Sequence, residues 1–337
     1  VTTTLAQDLK DAAALLARAN DVTLLGHVRP DADALGSALA LGRALQLRGG
    51  VKVRVSVGEP EEMPETLRGL DVGGLYVPAS ELPESEQLLV ALDTPTPGRL
   101  GKLASRVDTV RAAGGDVLVI DHHASNVFYG TKHVVDDTAE ATAVLVFALL
   151  QELGTELDEP IARCLYAGLV TDTSGFRRAR PSTHLMAAQL LEAGVDPDKV
   201  VREIVDDHPF AWLPMLSEVL AGARLEPDEA RGFGLASAVV TREVARTVRG
   251  EEVEAVIDVV RSTREAGVAV VLKEAEPIGP KQRWQVSLRS TGGVDVSAAA
   301  GELGGGGHRQ AAGCTAEGTA GEVLDRLKAA LSRAPLL

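Results

Sequence analysis

Two hydrophobic patterns alternate along the first half of the chain. Residues 5–19 place apolar side chains at helical spacing, 22–25 form a short unbroken apolar run, and after a polar loop a second helical pattern covers 34–47. Residues 51–57 alternate as a strand. The runs 88–92 and 117–120 are again short and continuous, and each leads straight into an aspartate, Asp93 or Asp121. Such runs suit strands buried on both faces of a parallel sheet, so the rhythm predicts an open α/β domain. From 139 to about 220 the pattern is helical, with Pro160, Pro181 and Pro197 near helix starts, where a fixed φ is tolerated. A second α/β unit follows. It has strands at 232–240, 268–273 and 284–289, a helix at 251–261, a glycine-rich loop at 304–307 and a closing helix at 320–331.

With 337 residues, the length predicts two domains at about 150 residues each. The expected division is a parallel-sheet α/β domain over 1–192, a helical connector over 193–222 and a smaller α/β domain over 223–337. Aromatic residues make up only 3%, which argues against base-stacking platforms. A formal charge of −14 disfavours coating duplex nucleic acid. It leaves room for a small phosphorylated substrate, because local cations can invert the field in a cleft. Cys164 and Cys314 form no close pair, which sets aside disulfide scaffolds and cysteine-type zinc sites. No apolar run is long enough to span a bilayer, and the start lacks a signal-peptide pattern. A cytoplasmic protein without a membrane partner is therefore expected.

The chemistry concentrates at predicted strand ends. After the run 22–25 comes HVRPDADALGS (27–37), with His27, Asp31 and Asp33. In open α/β sheets ligands sit beyond the carboxyl ends of strands, so these side chains are placed to meet one. Gly36 would let a ligand approach, and Ser37 would lie where helix N–H groups favour anions. The competing reading is a capped helix with Asp31 or Asp33 as N-cap. Asp93 could meet the same ligand or simply start a turn. Packing gives no reason for the adjacent imidazoles of Asp121-His122-His123, although a surface pair stays open. A fourth stretch, GLVTDTSGFR (168–177), brings Asp172 at the end of a helical run. Together these carboxylates would repel one another and be forced to protonate. Divalent cations remove the conflict. Imidazole plus carboxylate without thiolate points to Mn²⁺ first, then Mg²⁺, Co²⁺ or Zn²⁺. Two ions about 3.5–4 Å apart, bridged by a carboxylate, make a phosphoester-hydrolysing centre.

These four motifs resemble the DHH phosphoesterase superfamily, named for the run at 121–123. The stretch GGGGHRQAAG (304–313) is similar to the glycine-rich signature of the DHH-associated C-terminal domain. The likeness covers nearly the whole chain and is nearest to the compact oligoribonuclease and pAp-phosphatase group, some of whose members act on cyclic di-AMP. It implies that His27 and Asp31 ligate a first Mn²⁺, that Asp33, His122 and Asp172 ligate a second, and that Asp93 bridges both. It also implies that Asp121 orients a histidine and that His123 contacts the scissile phosphate or helps protonate the leaving oxygen. Asn126, Arg177, Arg289, Ser290, Gly306, Gly307 and His308 are the candidate substrate contacts, with His308 reaching the phosphate from the second domain. Arg177, Arg178 and Arg180 could equally be exposed loop arginines, and 304–307 a flexible turn. One departure is the pair of prolines after Asp93, in TPTPGRLG (94–101).

The expected activity is Mn²⁺-dependent hydrolysis of cyclic di-AMP, pApA and short single-stranded oligoribonucleotides to mononucleotides, and of pAp to AMP and phosphate. The resemblance further implies a homodimer. A family II-like inorganic pyrophosphatase shares the metal motifs but not the ending GGGGH. A RecJ-type exonuclease is longer and carries an added nucleic-acid-binding barrel. A cyclic-dinucleotide sensor without turnover would require a lost ligand, and every ligand position is filled.

Overall fold

The computed structural model describes residues 3–277 and 280–337, and the chain divides into two compact units, Val1–Asp207 and His208–Leu337. The first contains α1 (Thr3–Arg18), β1 (Asp21–Gly26), α2 (Ala32–Arg48), β2 (Lys52–Val57), β3 (Leu88–Leu92), α3 (Arg106–Ala112), β4 (Asp116–Asp121) and β5 (Lys132–Val135). Helices α4 (Thr142–Glu152), α5 (Glu159–Asp172), α6 (Pro181–Glu192) and α7 (Pro197–Val201) complete it. The five strands are all parallel in the order β2-β1-β3-β4-β5.

The continuous apolar runs have a simple origin. Leu24, Val90, Leu118 and Ile120 pack on the face covered by α1, α2, α4 and α5. Their neighbours Leu25, Leu89, Ala91, Val117 and Val119 pack on the other face with Leu100, Leu103, Val107 and Val110. Both faces are buried, so no polar alternation survives. Strand order reverses between β1 and β3, and a crevice opens at the carboxyl ends of strands flanking such a switch. Register brings those ends level. Leu25 lies beside Ala91, Ala91 beside Val119 and Leu92 beside Ile120.

Helices α2 and α5 meet backbone to backbone. A Cβ at Gly36 would stand 2.4 Å from the Cys164 carbonyl oxygen, and one at Gly168 would stand 2.6 Å from Asp33 Oδ1. The expectation that Gly36 serves ligand approach is thus corrected: what it admits is α5. Ser37 is corrected likewise. It is fully buried, and its hydroxyl faces Asp33 Oδ1 at 3.4 Å. Proline falls in the first turn of α5, α6 and α7.

The second unit holds α8 (Trp212–Ala221), β6 (Arg224–Glu226), β7 (Leu235–Val240), α9 (Arg242–Ala245), α10 (Gly250–Val260), β8 (Val268–Ala275) and β9 (Arg283–Ser290). It closes with α11 (Val296–Glu302), β10 (Gly306–His308), β11 (Ala311–Glu317) and α12 (Ala320–Arg333). Its mixed sheet runs β10-β11-β9-β8-β7-β6, with only β7 and β8 parallel. Leu235, Val270, Leu272 and Leu288 pack under α11 and α12. Ala236, Ala238, Val240, Ala269 and Val271 pack under α8 and α10. The glycine-rich stretch is not wholly a loop. Gly306–His308 is an edge strand in a tight hairpin with β11, Gly306 opposite Gly313 and His308 opposite Ala311. Glycine has no side chain to reveal alternation, so the partner strand specifies this one. Among the described residues no helix is long and apolar enough to cross a membrane.

Candidate metal centre

Three strand ends and one helix end converge in the first unit. His27 follows β1, Asp93 follows β3, Asp121 ends β4 with His122 and His123 after it, and Asp172 ends α5. Asp93 turns out of its strand with φ 56° while its N–H donates to the Ile120 carbonyl at 2.9 Å. Asp is among the few side chains that tolerate this left-handed backbone. Asp31 fulfils both readings open for it. As N-cap of α2, its Oδ1 accepts from Ala34 N at 2.9 Å, while Oδ2 lies 3.5 Å from His27 Nε2.

Two of the donor groups that these side chains form lie on either side of Asp93. In one, His27, Asp31 and Asp93 converge; in the other, Asp33, His122 and Asp172 do. Asp93 presents Oδ2 to His27 Nε2 at 3.4 Å and Oδ1 to His122 Nε2 at 3.5 Å. Asp172 Oδ2 stands 3.3 Å from the same His122 nitrogen. A carbonyl fixes each ring from behind. His27 Nδ1 donates to Val28 O at 2.9 Å, and His122 Nδ1 donates to Ala139 O at 3.2 Å. With Nδ1 committed to a carbonyl, each Nε2 is left facing two carboxylate oxygens, where it would offer its lone pair to a cation. His123 differs. Its Nδ1 donates to Asp121 Oδ1 at 2.7 Å and lies 3.6 Å from Asp93 Oδ1.

Electrostatics describe a site short of positive charge. Burial opposes charging of His27, yet the carboxylates of Asp31 and Asp93 push it up to about 10. Burial likewise opposes His122, and Asp172, Asp93 and Asp33 push it up to about 11. Asp33 rises well above the usual carboxylate range through burial and then the charges of Asp172 and Asp93. Burial would also raise Asp93, but His27, His123 and His122 hold it far below that range. The separations of 3.3–3.5 Å are long for charge-assisted hydrogen bonds, which sit near 2.7–2.9 Å. They match the spacing of about 3.0–3.4 Å between neighbouring ligands on an ion with bonds of about 2.1 Å. Donor chemistry and spacing therefore fit divalent cations. His27, Asp31 and Asp93 would hold one, and Asp33, His122, Asp172 and Asp93 the other.

The turn into α4 escaped the sequence reading. Its N-cap residue, Ala141, has no side-chain oxygen, and Asp33 reaches over from α2 to serve instead. Asp33 Oδ2 accepts from Thr142 N at 2.6 Å and Oδ1 from Ala143 N at 2.9 Å. The Thr142 hydroxyl donates to Asp93 Oδ1 at 2.9 Å. The available signal was an apolar helix opening with no cap of its own.

Glu140 anchors this turn to the start of α6. It accepts from Arg180 N at 3.0 Å, Arg180 Nε at 2.8 Å and Thr183 Oγ1 at 2.6 Å. Against the effect of burial, these partners push its carboxyl down to about 2 from 4.5. A depressed carboxylate stabilises the fold fully above its unfolded value and ceases to do so as pH falls through the folded value. The thermal-stability advantage of wild type over Glu140→Gln should thus be greatest above pH 5 and shrink toward pH 2. A gap that stays constant with pH would remove the charge as its source.

The other candidates are placed as follows. Asn126 is occupied within its loop, donating to Asp121 Oδ2 at 2.6 Å and accepting from Phe128 N at 2.7 Å. Arg177 is exposed, whereas Arg178 donates to the Asp172 carbonyl at 2.7 Å and Arg180 is taken up by Glu140. In the second unit His308, Ala311 and Arg289 lie in one row across three strands. Ser290, one residue on, points to the opposite face of the sheet. It is buried and accepts from Gly292 N at 3.3 Å. Gly306 and Gly307 are exposed on the edge strand.

Residues 21–169 match the DHH family, N-terminal domain, and residues 236–334 the DHHA1 domain. The chain is 33% identical over 323 residues to the bifunctional oligoribonuclease and PAP phosphatase NrnA of Thermus thermophilus, covering 92% of this chain and 90% of that protein. It is 26% identical over 338 residues to the cyclic-di-AMP phosphodiesterase GdpP of Geobacillus thermodenitrificans, covering 94% of this chain and 48% of that protein. Its fold is similar to the crystal structure of an exopolyphosphatase-related protein from Bacteroides fragilis. The TM-score is 0.85 at 24% identity, with 99% and 98% of the two chains covered.

Proposed function

The chain belongs to the DHH family of phosphoesterases, with a DHHA1 domain after the DHH domain, and from that membership we propose that it hydrolyses short adenine-containing nucleotides with two Mn²⁺ ions. The substrates are short single-stranded oligoribonucleotides, including pApA, and pAp, which yields AMP and phosphate. The observation that carries the reading is Asp93, whose two oxygens face two separate histidine–carboxylate groups. When bound, such ions neutralise charge developing on the phosphoryl oxygens and lower the pKa of water. The protein's own part is to hold the donors in place and to keep His123 oriented by Asp121, so that its Nε2 can meet the phosphate or the leaving oxygen.

The substrate class is supported by the Thermus thermophilus relative, named for oligoribonuclease and PAP phosphatase action and matched over nearly its full length. Cyclic di-AMP ranks behind, because this chain spans about half of the relative named for it. We assign substrate holding to Arg177 and, on the second unit, to Arg289, Gly306, Gly307 and His308. Ser290 and Asn126 are weaker candidates, because both side chains are engaged within their own loops.

The test is a comparison of kcat/KM for pAp, pApA, a five-nucleotide RNA, cyclic di-AMP and pyrophosphate, with Mn²⁺ and after exhaustive chelation. Turnover of pAp and the RNA that chelation abolishes and Mn²⁺ restores is the expected result. A preference for pyrophosphate, or activity indifferent to chelation, would overturn it.

A further inference from the structure

One fully buried hydroxyl touches the shared carboxylate of the proposed centre. Thr142 donates through Oγ1 to Asp93 Oδ1 at 2.9 Å and through its backbone N–H to Asp33 Oδ2 at 2.6 Å. Three residues earlier, the Ala139 carbonyl accepts from His122 Nδ1. The stretch 139–143 therefore contacts both oxygens of Asp33, one oxygen of Asp93 and the Nδ1 of His122, behind its Nε2. Asp93 Oδ1 is also the oxygen that faces His122 Nε2 at 3.5 Å. A carboxylate oxygen has two lone pairs. If the hydroxyl takes one, the other is left to the Asp33, His122 and Asp172 group. Terminal torsions of an aspartate are broad, and Asp93 stands on a left-handed turn with φ 56°, so something other than the rotamer must set the plane of its carboxylate.

We propose that Thr142 is a positioning residue: its hydroxyl fixes the plane of the Asp93 carboxylate so that one oxygen serves each of the two cation sites. This rests on the two-ion reading above. Partners behind metal ligands are worth about 10–100-fold in metal affinity or activity, and a threonine hydroxyl can be removed with almost no change of shape. The anchoring of the same turn by Glu140 to Arg180 and Thr183 gives the hydroxyl a fixed origin.

The experiment is calorimetric titration of the metal-free full chain with Mn²⁺, for wild type, Thr142→Val and Thr142→Ser, alongside kinetics on pAp. Wild type is expected to take up two ions. Thr142→Val should bind at least one of them about 10–100-fold more weakly and lose kcat with little change in KM, while Thr142→Ser should stay within about twofold of wild type. Should the valine variant not fold, Thr142→Ala carries the same comparison. A valine variant that titrates like wild type, or a serine variant as weak as valine, would overturn the role of the hydroxyl. A wild-type chain that takes up no Mn²⁺ would overturn the two-ion reading itself and this proposal with it.

Discussion

Replacing Asp93 by alanine is expected to lower kcat/KM for pAp by about 10³-fold or more, equivalent to about 4 kcal/mol of lost transition-state stabilisation. Mn²⁺ content should fall from about two per chain to one or fewer. Both effects have the same source. Among the described residues, Asp93 is the carboxylate whose oxygens divide between the two donor groups, 3.4 Å from His27 on one side and 3.5 Å from His122 on the other. Without it, His27 keeps Asp31 and His122 keeps Asp172, but nothing links the pairs. The fold should survive with a small loss of stability, because alanine tolerates the φ of 56° less well than aspartate while no apolar packing is removed. Elemental analysis and steady-state kinetics on the variant check this together. Full activity with a full metal complement would show that the bridge lies elsewhere.

The second large effect separates two glycines on one helix crossing. In Gly36→Ala the added Cβ meets the Cys164 carbonyl oxygen at 2.4 Å and its carbon at 3.3 Å. Backbone cannot rotate away as a side chain can, so α2 and α5 must part. Overpacking of this kind costs about 1–3 kcal/mol, less up to about 1 kcal/mol for the better helix propensity of alanine. A net loss near 2 kcal/mol would lower Tm by about 4–8 °C in a unit of this size. In Gly168→Ala the new atom meets Asp33 Oδ1 at 2.6 Å and Asp33 Cα at 2.9 Å, which moves a proposed ligand as well as a helix. At a temperature where both variants are folded, Gly36→Ala should retain most of its Mn²⁺ affinity, and Gly168→Ala should lose about 10-fold or more. Thermal unfolding and metal titration measure the two consequences independently. Equal losses of affinity would mean that Asp33 is displaced only through general loosening.

Much of this was legible in the sequence, and for physical reasons. Parallel strands buried on both faces print as unbroken apolar runs, so β1, β3 and β4 stood out, and an α/β sheet places its chemistry just beyond such runs. Hence His27, Asp93 and Asp121 could be named before their neighbours in space were known. What stayed hidden depended on partners distant in sequence. Strand β5 has four residues, Lys132 and His133 among them, and is specified by pairing with β4. Gly306–His308 carries no pattern at all and exists through β11. Gly36 and Ser37 look ligand-facing in the sequence, yet one admits a helix and the other faces Asp33. Thr142 sits at an ordinary helix start, and its role appears only once α2 lays Asp33 across that start and β3 delivers Asp93 beside it.

Asp33 at the head of α4 has a consequence for biosynthesis. The carboxylate that would grip a cation is made early, but the helix it caps and the Asp172 that completes its group are made much later. During translation the emerging polypeptide therefore displays Asp33 with only the Ser37 hydroxyl beside it until α4 and α5 have left the ribosome. Capture of an ion by the Asp33, His122 and Asp172 group would therefore come late in assembly, a seal on a finished structure rather than a template for it.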